Sequence, residues 1–93
     1  MTDESSSAFK VHYICQTYTE KKTGRAGQVA LVVDKQFQYT SADQARSRAE
    51  RESRLDTCAG ADAYSVTEDE GSGEVSEPTF LVRLGNVPEF YAF

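Results

Sequence analysis

The chain has 93 residues, 39% of them hydrophobic and 11% aromatic, and a formal net charge of -5. That length allows one core burying somewhat more than about 60% of the unfolded surface, and the composition excludes both a disordered chain and a membrane-embedded one, since no apolar run approaches the ~18 residues a spanning helix needs. The charge is uneven: Asp62, Glu68, Asp69, Glu70, Glu74 and Glu77 fall between residues 62 and 77 with no cation among them, leaving the rest of the chain near +1. Affinity for double-stranded nucleic acid comes mostly from cations that displace counterions from phosphates, so the charge excludes that partner and favours a basic or neutral protein.

Residues 1–7, Met-Thr-Asp-Glu-Ser-Ser-Ser, are acidic and polar and read as a disordered leader. An export signal would be basic and then apolar, so the expectation is a cytoplasmic protein whose two cysteines, Cys15 and Cys58, are free thiols. A single domain over residues 8–88 follows. From Phe9 to Thr19 the side chains alternate, with Phe9, Val11, Tyr13 and Cys15 on one face and His12, Ile14, Gln16 and Tyr18 on the other, which predicts a strand. The polar stretch Glu20 to Gly27, with two glycines, reads as a hairpin loop. Val29 to Val33 is a continuous, β-branched apolar run too short for a helix and predicts a second strand, apolar on both faces.

Ser41 followed three residues later by Gln44 has the form of a capping box, and good helix formers with oppositely charged side chains four apart continue to about Ala59. The spacing predicts a helix over 42–59, with an alanine stripe toward the sheet and Gly60 as a left-handed C-cap. Ala61 to Thr67 reads as a third strand, Glu68 to Pro78 as an acidic loop, and Thr79 to Leu84 as a fourth strand with Phe80, Val82 and Leu84 on one face. The fold class is therefore α+β, in the order ββαββ: a four-stranded antiparallel sheet with one helix packed on one face. Residues 89–93 form an aromatic C-terminal tail.

The segments Tyr13-Ile14-Cys15-Gln16-Thr17-Tyr18, Ala45 to Glu50, Ala59-Gly60-Ala61-Asp62-Ala63-Tyr64-Ser65, Gly73-Glu74-Val75-Ser76-Glu77-Pro78 and Leu84-Gly85-Asn86-Val87-Pro88 together resemble a family of small uncharacterised alphaproteobacterial proteins. The family has no assigned activity. The resemblance implies a compact bacterial domain and carries over no catalytic or binding residue. Two departures from it, the apolar Val29 to Val33 run and the aromatic tail, bear on how this member associates.

Chemistry-bearing patterns are sparse. His12 and Cys15 lie three apart on a strand, so their side chains diverge, and the sequence supports no metal site. Cys15 lacks a base, because the sole histidine points away from it. The loop Lys21-Lys22-Thr23-Gly24-Arg25 lacks the order and flanks of a phosphate-binding loop, and the acids between Glu68 and Glu77 lack a calcium-binding frame. Tyr13, Tyr18, Tyr64 and Phe80 would stack single-stranded bases only in a basic surround, which the neighbouring acids deny.

One alanine-striped helix covers one sheet face and leaves an apolar second face in need of cover. The expected function is therefore a non-enzymatic protein-interaction module without cofactors, homodimeric through the uncovered sheet face, an edge strand or the tail. Ile14, Tyr18, Leu81, Phe90, Tyr91 and Phe93 are the interface candidates. One alternative is a small-molecule binder or small enzyme with a pocket near His12, Tyr13 and Cys58. The other is an acidic regulator that presents residues 62–77, through Glu68, Asp69, Glu70, Glu74 and Glu77, to a basic protein surface.

Overall fold

A computed structural model describes residues 8–22, 24 and 27–88, and its elements run β1 (Phe9–Lys22), β2 (Val29–Tyr39), α1 (Ala42–Glu52), β3 (Gly60–Asp69) and β4 (Thr79–Gly85). They form one antiparallel sheet in the order β2-β1-β3-β4, with α1 lying mainly across β3 and β1. This is the expected ββαββ arrangement. The leader over 1–7 and the tail candidates Phe90, Tyr91 and Phe93 lie outside the described residues.

The core is built from small side chains: Cys15, Ala45, Ala49, Ala61 and Ala63 are fully enclosed, and Tyr13, Phe37, Tyr39, Cys58, Leu81, Val82 and Leu84 pack around them. Alanines on α1 facing alanines on β3 let the helix backbone approach the sheet closely, and the larger side chains close the rim.

The helix begins as expected. Ser41 is extended, with φ -139 and ψ 152, and its hydroxyl accepts from the Gln44 backbone N–H. It ends at Glu52, seven residues before the expected limit. Ser53, Asp56, Thr57 and Cys58 are weaker helix formers than the residues before them, and the Ala59 N–H donates to the Tyr18 carbonyl, with β3 pairing along β1 from the next residue. Gly60 is accordingly not a left-handed cap. It is the first residue of β3, and a Cβ there would lie 2.2 Å from the Asn86 carbonyl oxygen, so a glycine lets two backbones touch. Gly85 (φ 74), by contrast, is left-handed and turns the chain at the end of β4.

Both outer strands carry a bulge. Thr17 pairs with Lys35 and Tyr18 with Val33, leaving Asp34 unopposed, while Ala63 pairs with Val82 and Tyr64 with Phe80, leaving Leu81 unopposed. The second bulge corrects the expected face of β4. Val82 and Leu84 share the helix side with Ala63 and Ala61, but Phe80 moves to the opposite face and meets Tyr64 edge-on at 5.8 Å.

The strands are also staggered. Thr19 to Lys22 pair only with β2, and Phe9 to His12 have no β2 partner, because the β1–β2 ladder starts at Tyr13. The sheet is four strands wide at its centre and ends in two narrow ribbons, at opposite ends of β1.

Candidate functional site

The face away from α1 is not the apolar surface the sequence suggests. It carries a continuous set of polar bonds. Gln36 Nε2 donates to Gln16 Oε1 at 2.6 Å, Gln16 Nε2 donates to the Tyr18 hydroxyl at 3.0 Å, and that hydroxyl donates to Asp62 Oδ2 at 2.8 Å. Arg83 closes the set with a two-pronged contact to Asp62, at 2.7 and 3.0 Å, and also donates to the Pro88 carbonyl. Asp62 is fully enclosed and doubly held by a guanidinium, a geometry that offsets the cost of burying its charge. Burial first, and then the bond to Asp62, raise the Tyr18 hydroxyl well above the ordinary phenol range.

Tyr18 is only 1% exposed, so it is an internal strut between β1 and β3 and not an interface residue. Leu81 is likewise corrected: its bulge turns it into the core beside α1. Ile14 does lie on the open face, half-buried between its strand partners Gln38 and Tyr64.

At the acidic end of the face His12 is held on both ring nitrogens, Nε2 at 2.8 Å from Glu68 Oε1 and Nδ1 at 2.6 Å from the Gln38 amide nitrogen. His12 and Cys58, expected to share a pocket, are not brought together. Cys58 packs on the helix side, and His12 pairs with Val66 six positions along β3 from Gly60, roughly 20 Å away at the rise of a strand. Cys58 instead borders an open groove of about 420 Å³ lined by Thr19, Glu20, Asp56, Thr57 and Ala59, and its thiol donates to the Gly60 carbonyl at 3.1 Å. Burial, and then the Glu52 carboxylate, push the Cys15 thiol up to about 11, which keeps it protonated and unreactive at neutral pH.

On the helix side Glu52 is buried and bonded to Lys35 at 3.1 Å and Arg48 at 2.9 Å. Burial works to raise its pKa, but the two cations outweigh that and hold the carboxyl below its ordinary value. The Arg48 guanidinium also lies 3.9 Å above the Phe37 ring. This cluster ties β2 to α1.

Most of the open apolar surface lies toward the narrow ends. Among the described residues Val29 (53%), Val33 (56%), Phe9 (61%), Val11 and Val75 (57%) are exposed, as is Leu55 in the connection after α1. Val29 belongs to the ribbon with Lys21 and Lys22, and Val33, opposite Tyr18, stands at its base, where β3 already pairs with β1. Phe9 and Val11 belong to the other, where Val75 joins through a bridge to Glu68. Of the acidic candidates, Glu68 and Asp69 are the last residues of β3 and not loop residues, and Glu70, Glu74 and Glu77 follow in the β3–β4 connection. The sequence singled out the apolar Val29 to Val33 run but missed Phe9, Val11 and Val75, because alternation alone does not reveal that α1 stops short of them.

Among the described residues no helix is long and apolar enough to cross a membrane, and no three metal-ligating side chains cluster. No family model matches the chain, and neither the curated proteins nor the solved structures contain a match to it.

Proposed function

We propose that this chain is a non-enzymatic protein-interaction module that binds a protein partner through the apolar ribbons at the ends of its sheet. The observation that supports this reading is the exposure of Phe9, Val11, Val29 and Val75 on ribbons only two strands wide at their main pairing, with the exposed Val33 at the base of one of them. A two-stranded ribbon is marginal in water by itself, and apolar side chains on it gain stability from a further layer. The bulges at Asp34 and Leu81 disrupt the outer edges of β2 and β4, which weighs against strand addition there and leaves the ends as the contact surface.

Two substitution pairs test the reading in the full-length protein, Val29→Thr with Val33→Thr and Phe9→Ser with Val11→Thr. The expected result is that chemical cross-linking in host lysate yields a defined complex with the native chain and loses it with either pair, while the melting temperature is retained. Equal behaviour of the native chain and both variants, with no complex from any of them, overturns it.

A further inference from the structure

Ala45, Ala49 and Glu52 form the buried stripe of α1, and a polar stripe runs beside it. Gln44, Ser47, Arg48 and Arg51 recur at the three- and four-residue spacing of a single helix face. With Tyr39 of β2 and Asp43 they line an open groove of about 350 Å³, within the size range of small-ligand sites. Because α1 lies mainly across β3 and β1, its flank toward β2 is left open.

The charged groups of the groove do not cancel. Three of its lining side chains are charged; two are guanidiniums, and the carboxylate, Asp43, is already bonded to Arg46 at 2.8 Å. Glu52, behind Arg48, is shared with Lys35. The other acids nearest in sequence, Asp34, Glu50 and Asp56, do not line the groove.

Arg48 is also held in place before any anion arrives. Its Nε donates to Glu52 Oε2 at 2.9 Å, and its guanidinium carbon lies 3.9 Å from the centre of the Phe37 ring. Among the described residues its two terminal nitrogens have no hydrogen-bond partner, and neither does the side chain of Arg51, one turn further on. A guanidinium fixed by two contacts, with its outer nitrogens unused, loses little freedom when it meets the oxygens of an anion.

We propose that the groove between α1 and β2 binds a small phosphate, as the free ion or as a monoester, through Arg48 and Arg51, with Ser47, Tyr39 and Gln44 as further donors. Phosphate suits it better than a carboxylate, because it offers three oxygens and about two charges to donors spread over two helical turns. The groove lies apart from the apolar ribbons, so this site stands or falls independently of the interaction-module reading.

The experiment is titration of the isotope-labelled, full-length protein with sodium phosphate, phenyl phosphate or sodium acetate at constant pH and ionic strength, followed by amide NMR shifts. Shifts centred on Gln44, Ser47, Arg48 and Arg51 are expected to saturate with phosphate at about 1 mM, and acetate is expected to bind about tenfold more weakly or less. Whichever phosphate binds more tightly tells the free ion from an ester. Arg51→Gln is expected to weaken phosphate binding about tenfold, whereas Arg54→Gln, which removes a cation outside the groove, leaves it unchanged. Both side chains are exposed, and the melting temperature checks that the variants are folded. Failure of both phosphates to saturate, equal binding of acetate, unchanged binding in Arg51→Gln, or equal losses in the two variants overturns the site.

Discussion

The Tyr18 hydroxyl donates a 2.8 Å hydrogen bond to Asp62 across a sequence separation of 44, and so couples β1 to β3 on the face away from the helix. Asp62 is fully enclosed and its other bonds come from Arg83, so the carboxylate has no water to fall back on. Asp62→Ala removes the carboxylate to which both the Arg83 guanidinium and the Tyr18 hydroxyl donate and is expected to cost about 3 kcal/mol. Tyr18→Phe removes one donor to a charged acceptor and is expected to cost about 2 kcal/mol. Urea unfolding measures both, and the double variant should cost clearly less than the two together, because the residues share one bond.

Glu52 contributes an acid-sensitive part of the stability. Its carboxyl pKa lies below the ordinary 4.5 in the folded state, because Lys35 and Arg48 outweigh the effect of burial. The folded state therefore binds its proton less tightly than the unfolded chain does. The resulting stability is fully present above pH 4.5 and is lost as pH falls from there through the folded-state value. Glu52→Gln is expected to flatten the stability curve in that window while lowering stability at neutral pH. Chemical denaturation from pH 3 to 7 reads both effects.

The two thiols should differ in reactivity. Cys15 is fully buried and its pKa is near 11, whereas Cys58 is half-exposed at the border of the groove. Native protein is expected to consume one equivalent of a thiol-specific disulfide reagent quickly and the second only as fast as the fold opens, with both reacting at once in denaturant. Mass mapping should place the fast adduct on Cys58.

Glycine substitutions separate crowding from backbone conformation. Gly60→Ala forces a Cβ to within 2.2 Å of the Asn86 oxygen and 2.8 Å of the Leu84 oxygen, both of them backbone atoms. Expected destabilisation is about 3 kcal/mol, or failure to fold. Gly24→Ala strains a left-handed residue (φ 63) in open space and is expected to cost about 1 kcal/mol. Thermal unfolding of the two variants side by side checks the contrast.

Element identity was legible because strand alternation and helix capping are local. Phe9 to Thr19 alternates, Val29 to Val33 is β-branched, and the Ser41 hydroxyl and Gln44 amide stand at capping distance in sequence and bond in the structure. The end of the helix was not legible. Ser53, Asp56, Thr57 and Cys58 are weak helix formers but do not forbid a helix, and the stop at Glu52 also goes with Ala59 and Gly60 being held against Tyr18.

The candidate site was less legible than the fold. An offset of one residue reverses the facing of a strand, and the bulge at Leu81 applies such an offset without any mark in the sequence. It turned Leu81 inward and Phe80 outward, and it aligned Arg83 with Asp62.

By itself, then, the amino-acid order determined four strands, one helix, their succession and the basic and acidic stretches, because each depends on neighbours within a few residues. Tertiary structure alone decided that the second face is a polar network and that most of the open apolar surface lies toward the two ends. Those outcomes depend on which backbone comes to lie opposite which, and on where α1 and the staggered strands stop covering one another.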